Sequence, residues 1–301
     1  MNLAKNVLLS AVALGLAACG GETDPPSTGA FSLSITDAPV DGATAVWVDF
    51  TGIELHGPSG TISIDAADKI NLMALQGNNS ELLASVTDLE AGNYQWMRLL
   101  VNAEEGVMDS YIEFDTESFP LRIPSGAQNG LKLNRPFVIA AGSRTDFTID
   151  FDLRKSVHKP SAQNADYILR PTLRVVNNLE VGTVIGTVAA EILTNNNCAE
   201  GTAVYLFDGL AAVADDIDGL DAEPVTTANV TIDTNTGAGS YEIGFVEADL
   251  DYTVALTCTA DLDDPEVDNL NTTATPPVED VFFIDQQNIT VQADTETIAN
   301  F

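Results

Sequence analysis

Carboxylates are the reactive side chains this chain has in excess. Of its 301 residues, 45 are Asp or Glu and only 12 are Lys or Arg, a formal net charge of −33. Two runs concentrate them: Asp215-Asp216-Ile217-Asp218-Gly219-Leu220-Asp221 and Asp261-Leu262-Asp263-Asp264-Pro265-Glu266-Val267-Asp268. Ca²⁺ takes about six to eight hard oxygen ligands, mostly carboxylates and carbonyls on flexible loops. By composition, Asp215, Asp216, Asp218, Asp221, Asp261, Asp263, Asp264, Glu266 and Asp268 are therefore candidate Ca²⁺ ligands. The first run fails as an EF-hand. With Gly219 at the sixth position, the first and twelfth would be Ala214 and Val225, neither a usable side-chain ligand. Any metal would sit in loops of another kind, and the alternative is that both runs are simply solvated.

Other chemistry is sparse. His56 precedes Gly57-Pro58 and His158 precedes Lys159-Pro160, and neither stands at a ligand spacing such as His-x-x-x-His. Both are expected at the surface. There is no Gly-x-Ser-x-Gly elbow, P-loop or dinucleotide fingerprint. A glycosidase pair cannot be dismissed by counting acids, but every acidic surface offers such pairs. Trp47 and Trp96 are either packed or sugar-stacking platforms.

The charge is unevenly spread. Every Lys and Arg lies at or before Arg174, while residues 175–301 hold 24 Asp plus Glu and no Lys, Arg or His. A jump this sharp predicts a domain boundary near Asn177-Asn178. It also argues against nucleic acid or anionic lipid as partners, since both need clustered Lys and Arg. What remains is cation binding, or solubility in salty water, where screening weakens self-repulsion.

The N-terminus reads as a leader. Lys5 supplies the positive region, Val7 to Leu16 an apolar run, and Ala17 and Ala18 the small residues before Cys19. The run is about ten residues, short of the roughly 20 that span a bilayer. Leu16-Ala17-Ala18-Cys19 resembles the processing site of bacterial lipoproteins, which implies a diacylglyceryl thioether on Cys19. Several acyl chains anchor stably where one is marginal. Gly20 rather than Asp after the Cys points, within that resemblance, to the outer membrane of a Gram-negative bacterium. Gly20 to Thr28 reads as a tether of Gly, Pro and Ser. The remaining Cys198 and Cys258 are expected to form a disulfide in an oxidising compartment, the alternative being two buried thiols.

Period-2 alternation dominates, so the expected fold is all-β, with two β-sandwich domains behind a leader (1–18) and a lipidated Cys and tether (19–28). The first sandwich spans 29–177 and the acidic, immunoglobulin- or transthyretin-like second spans 181–301. A parity flip at Gly52, from Val46, Val48 and Phe50 to Ile53 and Leu55, predicts a bulge. Tyr167–Val176 is expected as one strand. One helix is expected, Ser80–Leu89, with Leu82, Leu83, Val86 and Leu89 on one stripe. Gly92-Asn93-Tyr94 is suggestive of a tyrosine corner.

Two stretches carry a likeness. Ser34-Ile35-Thr36-Asp37-Ala38-Pro39-Val40-Asp41 with Val46-Trp47-Val48 is one. Asp150-Phe151-Asp152-Leu153-Arg154-Lys155-Ser156 with Tyr167-Ile168-Leu169-Arg170-Pro171 is the other. Together they resemble a family of domains of unknown function found in bacterial lipoproteins, over about residues 29–176. The likeness implies a β-rich extracytoplasmic domain and no activity. The second half more loosely resembles carboxypeptidase-regulatory-like sandwiches, through Gly186-x-Val188, Ala203-Val204-Tyr205-Leu206, Gly239-Ser240-Tyr241 and Asp251-Tyr252-Thr253-Val254. Asp251 stands where that family has Gly.

The expected function is a non-catalytic binding or structural role at the cell envelope, with Ca²⁺ as a candidate cofactor. A glycan or an envelope protein is the expected partner, besides the membrane reached through the lipid. A glycan-binding or adhesion accessory protein is the alternative, and a carboxylate-based hydrolase the third reading.

Overall fold

The structure is a computed structural model that describes residues 27–124, 130–160, 165–267, 270–271, 278–279 and 281–301. The leader, Cys19, the tether up to Pro26, and Asp268 lie outside the described residues. No described helix is long and apolar enough to cross a membrane.

The chain is nearly all β, 53% strand and 6% helix, in several sheets. The first half contributes β1 (Thr28–Ala38), β2 (Ala45–Gly57), β3 (Gly60–Ile64), β4 (Asp68–Asn71), β5 (Glu81–Glu90), β6 (Gly92–Tyr94), β7 (Trp96–Asn102) and β8 (Tyr111–Glu113). It continues with β9 (Ser118–Arg122), β10 (Leu131–Leu133), β11 (Phe137–Ile139), β12 (Arg144–Asp152), helix α1 (Leu153–Ser156), β13 (Val157–His158), β14 (Tyr167–Leu169) and β15 (Leu173–Asn177). A four-stranded sheet, β15-β12-β1-β5, faces a larger one running β10-β7-β2-β8-β9-β14-β13, with β3 and β4 paired to β2. Phe31, Leu33 and Ile35 of β1 meet Val46, Val48, Phe50, Ile53 and Leu55 of β2 in one apolar core. The predicted bulge is present: the β2–β7 register shifts between Phe50 and Gly52, so residues on both sides of the parity flip reach the same core.

The second half contributes β16 (Val181–Val188), helix α2 (Ala190–Asn195), β17 (Ala203–Asp208), β18 (Thr226–Asn229), β19 (Thr231–Ile232), β20 (Gly239–Glu247), β21 (Leu250–Thr257), β22 (Leu270–Asn271), β23 (Val278–Glu279), β24 (Phe283–Val291) and β25 (Glu296–Ile298). Sheets β19-β20-β16-β25 and β18-β17-β21-β24 enclose a core around Val184, Val204, Leu206, Val254, Leu256 and Val291. Strand β17 is buried on both faces. Its other face, Ala203, Tyr205 and Phe207, packs with Ile217 and Ala260 in a separate cluster.

Three expectations are corrected. The Ser80–Leu89 helix is strand β5, antiparallel to β1, with register shifts between Gly29 and Phe31 and between Leu33 and Ser34. Each shift moves parity by one, so Leu83, Val86 and Leu89, three residues apart, all pack on the core and imitate a helix stripe. The run Tyr167–Val176 is two strands, parted at Arg170-Pro171-Thr172, where Pro171 has no N–H to donate. One half joins β9 and the other β12, in different sheets. Finally, His158 is buried, 6% exposed, on strand β13 paired with β14, and its Nδ1 lies 3.6 Å from Glu266 Oε1. Burial, then Arg170, pushes its pKa down.

Candidate functional site

The two stretches that carried the family likeness end up side by side. β1 and β12 run parallel, with Thr36 opposite Asp150, Asp37 opposite Phe151 and Ala38 opposite Asp152. On β12, alternation sends Ile149 and Phe151 into the apolar core, while Thr148, Asp150 and Asp152 take the opposite face. All three are nonetheless buried, beside a β15 strand that packs against β20 of the second sandwich. Burial raises the Asp152 pKa to about 6, with Asp150 adding to the rise and Lys155 opposing it. Asp152 also caps α1, accepting a 3.1 Å bond from the Lys155 N–H.

That cap aims Arg154 across the boundary. Arg154 is 3% exposed and ion-paired with Asp41. Its Nε donates to Thr227 Oγ1 (3.1 Å), Nη2 to Asn229 Oδ1 (2.7 Å), and Nη1 to the Ala260 carbonyl (3.1 Å) and the Tyr205 hydroxyl (3.3 Å). Burial alone disfavours its charge, but Tyr205, Asp41, Asp263 and Asp152 more than offset that and hold its pKa above the ordinary value. Other cations of the first half follow. Lys155 donates to the Pro224 carbonyl, Arg170 to Glu266, Arg174 to the Phe245 carbonyl (2.9 Å) and Arg135 to Glu247 (3.1 Å). Backbones also meet: a Cβ at Gly244 would stand 2.3 Å from the Gly77 carbonyl oxygen.

Beside these contacts an open cleft of about 670 Å³ separates the halves. Thr36, Asp37, Asn79 and Asp150 line one wall, and Thr226, Asn229, Ser240, Glu242 and Asn300 the other. Asp37 is 5% exposed, and neither carboxyl oxygen has a hydrogen-bond partner among the described residues. Burial, then Asp150 and Asp152, pushes its pKa well above the carboxylate range. The Leu153 N–H and Arg154 pull the other way, but the amide does not reach hydrogen-bonding geometry. Asp150 accepts from Arg174 (2.7 Å), and Glu242 from the Asn78 N–H (2.7 Å).

The candidate Ca²⁺ ligands are placed otherwise than as open loops. Ile217 plugs the outer face of β17, and its N–H donates to Asp263 Oδ1 (3.1 Å), so the two acidic runs meet. Asp263 also accepts from Tyr205, and burial raises its pKa to about 6. Asp215 reaches about 6 through burial and then Asp216, which is itself buried. Asp218 accepts from Leu220 N–H and Asp264 from Glu266 N–H, both local turns, while Asp221 sits at positive φ. Asp261 lies against Gly201, and Glu266 pairs with Arg170. Among the described residues, no group of three or more His, Cys, Asp or Glu stands close enough to hold a metal ion. Cys198 and Cys258 are joined by a disulfide, Cα atoms 4.9 Å apart.

The aromatic candidates are engaged. Trp96 stacks on His56 (5.2 Å), with Lys132 and Arg98 over its ring, and Trp47 stacks on Tyr111 (6.3 Å). Sequence reasoning missed Arg154 and Asp37. The available signal was the base-free second half, whose buried acids need cations from elsewhere. Compared with known proteins, residues 28–171 match the family described as Domain of unknown function (DUF4382). No match was found among curated proteins, and none among solved structures.

Proposed function

With its first sandwich a DUF4382 domain, we propose that this protein is a non-catalytic, lipid-anchored binding protein of the cell envelope whose ligand enters the cleft between the sandwiches. The observation that carries the reading is Asp37, a buried carboxyl in the wall of that cleft with no hydrogen-bond partner among the described residues. A polar group buried without a hydrogen bond costs free energy, and a ligand that pairs with it would remove that cost. The cleft volume also falls within the roughly 300–1,000 Å³ usual for ligand sites. Anchoring rests on the leader and Cys19, and the outer membrane on Gly20. The buried Arg154 network supports a scaffold whose two halves together form the walls.

Two experiments test this. Cys19→Ala is expected to release folded soluble protein; a variant still sedimenting with membranes after high-salt washing overturns the anchor. For the cleft, a thermal-shift panel of neutral oligosaccharides, small amines and CaCl₂ is run on the soluble form and on Ser240→Trp, which puts a bulky ring on the cleft lining. A shift abolished by Ser240→Trp supports the reading, and no shift with any class overturns it. Identical melting midpoints in Ca²⁺ and in EDTA remove Ca²⁺ from it.

A further inference from the structure

We propose that the cleft takes a small organic cation, a primary ammonium or guanidinium group attracted by the carboxyls of Asp37, Asp150 and Glu242. This rests on the cleft being the binding site and names the class of ligand. Three observations carry it. The cleft lining holds carboxyl, hydroxyl and amide side chains and no Lys, Arg or His. One wall belongs to a half with 24 acids and no base, so anions are repelled along the approach. Elsewhere at the boundary, carboxylates already have cations: Asp41 has Arg154, Glu247 has Arg135 and Glu266 has Arg170. At the cleft Asp150 has Arg174, whereas Asp37 has no hydrogen-bond partner among the described residues and Glu242 accepts from a backbone N–H.

The hydroxyls would serve a sugar or an amine alike; the carboxyls discriminate. A charge against the low-dielectric wall of a protein cleft interacts several-fold more strongly than in bulk water. Asp37 is faced by Asp150 and Asp152 from β12 and by Arg154 from α1, with Arg174 behind Asp150 and Glu242 and Tyr241 across the cleft. Burial and its acidic neighbours push its pKa up and so favour the protonated form. A bound cation favours the carboxylate, so binding moves the Asp37 proton to the buffer.

The experiment is titration calorimetry of the Cys19→Ala full chain with spermidine, maltotriose and CaCl₂, each in two buffers of different ionisation heat. Spermidine is expected to bind, with heats that report proton release, and to bind more tightly at pH 8 than at pH 6. Asp37→Asn and Glu242→Gln are each expected to weaken it at least tenfold, and Asp37→Asn to abolish the proton release. Melting of each variant at or above the parent value shows that it is folded. Maltotriose binding without spermidine overturns the cation and leaves the binding-protein reading standing. Ca²⁺ binding alone, or spermidine binding unchanged in both variants, also overturns the cation. Silence to every probe overturns both readings.

Discussion

The two sandwiches face the same packing problem with opposite charge resources. Both use a tyrosine hydroxyl to close a strand turn: Tyr94 donates to the Glu90 carbonyl and Tyr252 to the Glu247 carbonyl, each at 2.9 Å. Both bury alternating aliphatic faces. They part over their carboxylates. In the first, Glu54 has Arg98 and Asp146 has Arg144, pairs formed at home. The second has no cation, so Glu247 and Glu266 are met by Arg135 and Arg170 from its neighbour, and Asp263 lies in the field of Arg154. The difference teaches that the charge asymmetry is an assembly device within one chain. A buried acid in a base-free domain must be neutralised by protonation or by a cation from outside.

Arg154→Met tests that contrast hardest. Removing one partner of a buried, hydrogen-bonded ion pair costs roughly 3–5 kcal/mol. Calorimetry is expected to resolve two transitions where the parent shows one; a single transition at the parent temperature refutes the assembly reading. The disulfide comes next. Replacing Cys198 and Cys258 by Ser is expected to cost about 2–4 kcal/mol, confined to the second sandwich. Equal urea midpoints with and without reductant would count against it. Gly244→Ala forces a Cβ against the Gly77 carbonyl and is expected to cost about 1–3 kcal/mol through overpacking. Small-angle scattering of that variant should show the halves separating.

Acidification is the fourth test. Asp152, Asp215 and Asp263 have folded-state pKa values raised by burial to about 6, against about 3.9 unfolded. Between those values the folded chain binds more protons, so stability falls as pH rises through about 4 to 6 and is regained on acidification. His158 works oppositely, since its lowered pKa makes the unfolded chain the better proton acceptor just below about 6.5. The carboxyls outnumber it, so Tm at pH 5 is expected to exceed Tm at pH 7.5 by about 2–4 °C. A falling Tm would mean that His158 dominates. Arg144→Met should change least: this pair is exposed, and such pairs contribute about 0–1 kcal/mol.

Much of the fold was legible because alternation is a local signal. The bulge at Gly52 appears as the parity flip implies, and the all-β fold as the alternation implies. The misreading of β5 has a definite cause, since two register shifts against β1 put Leu83, Val86 and Leu89 on the core at a helix-like spacing of three. The candidate site was legible only in part. Thr36-Asp37 and Asp150-Phe151-Asp152 stood out as the stretches carrying a family likeness, but their adjacency depends on a parallel pairing across more than a hundred residues. The acidic runs were visible as charge, whereas Ile217 plugging β17 depends on which face of that strand lacks another cover.

By itself the sequence determined what each segment is made of: alternating strands, a cysteine pair, and a second half with acids and no base. Those are properties of composition and short-range order, and they hold wherever the segments lie. Only the tertiary structure decided that Arg154 is the cation shared by both halves, that His158 is buried, and that Asp37 lines a cleft with no hydrogen-bond partner among the described residues. Burial and pairing are relations between residues far apart in the chain, and the same carboxyl is a solvated charge or a proton-holding acid according to which distant side chains close around it.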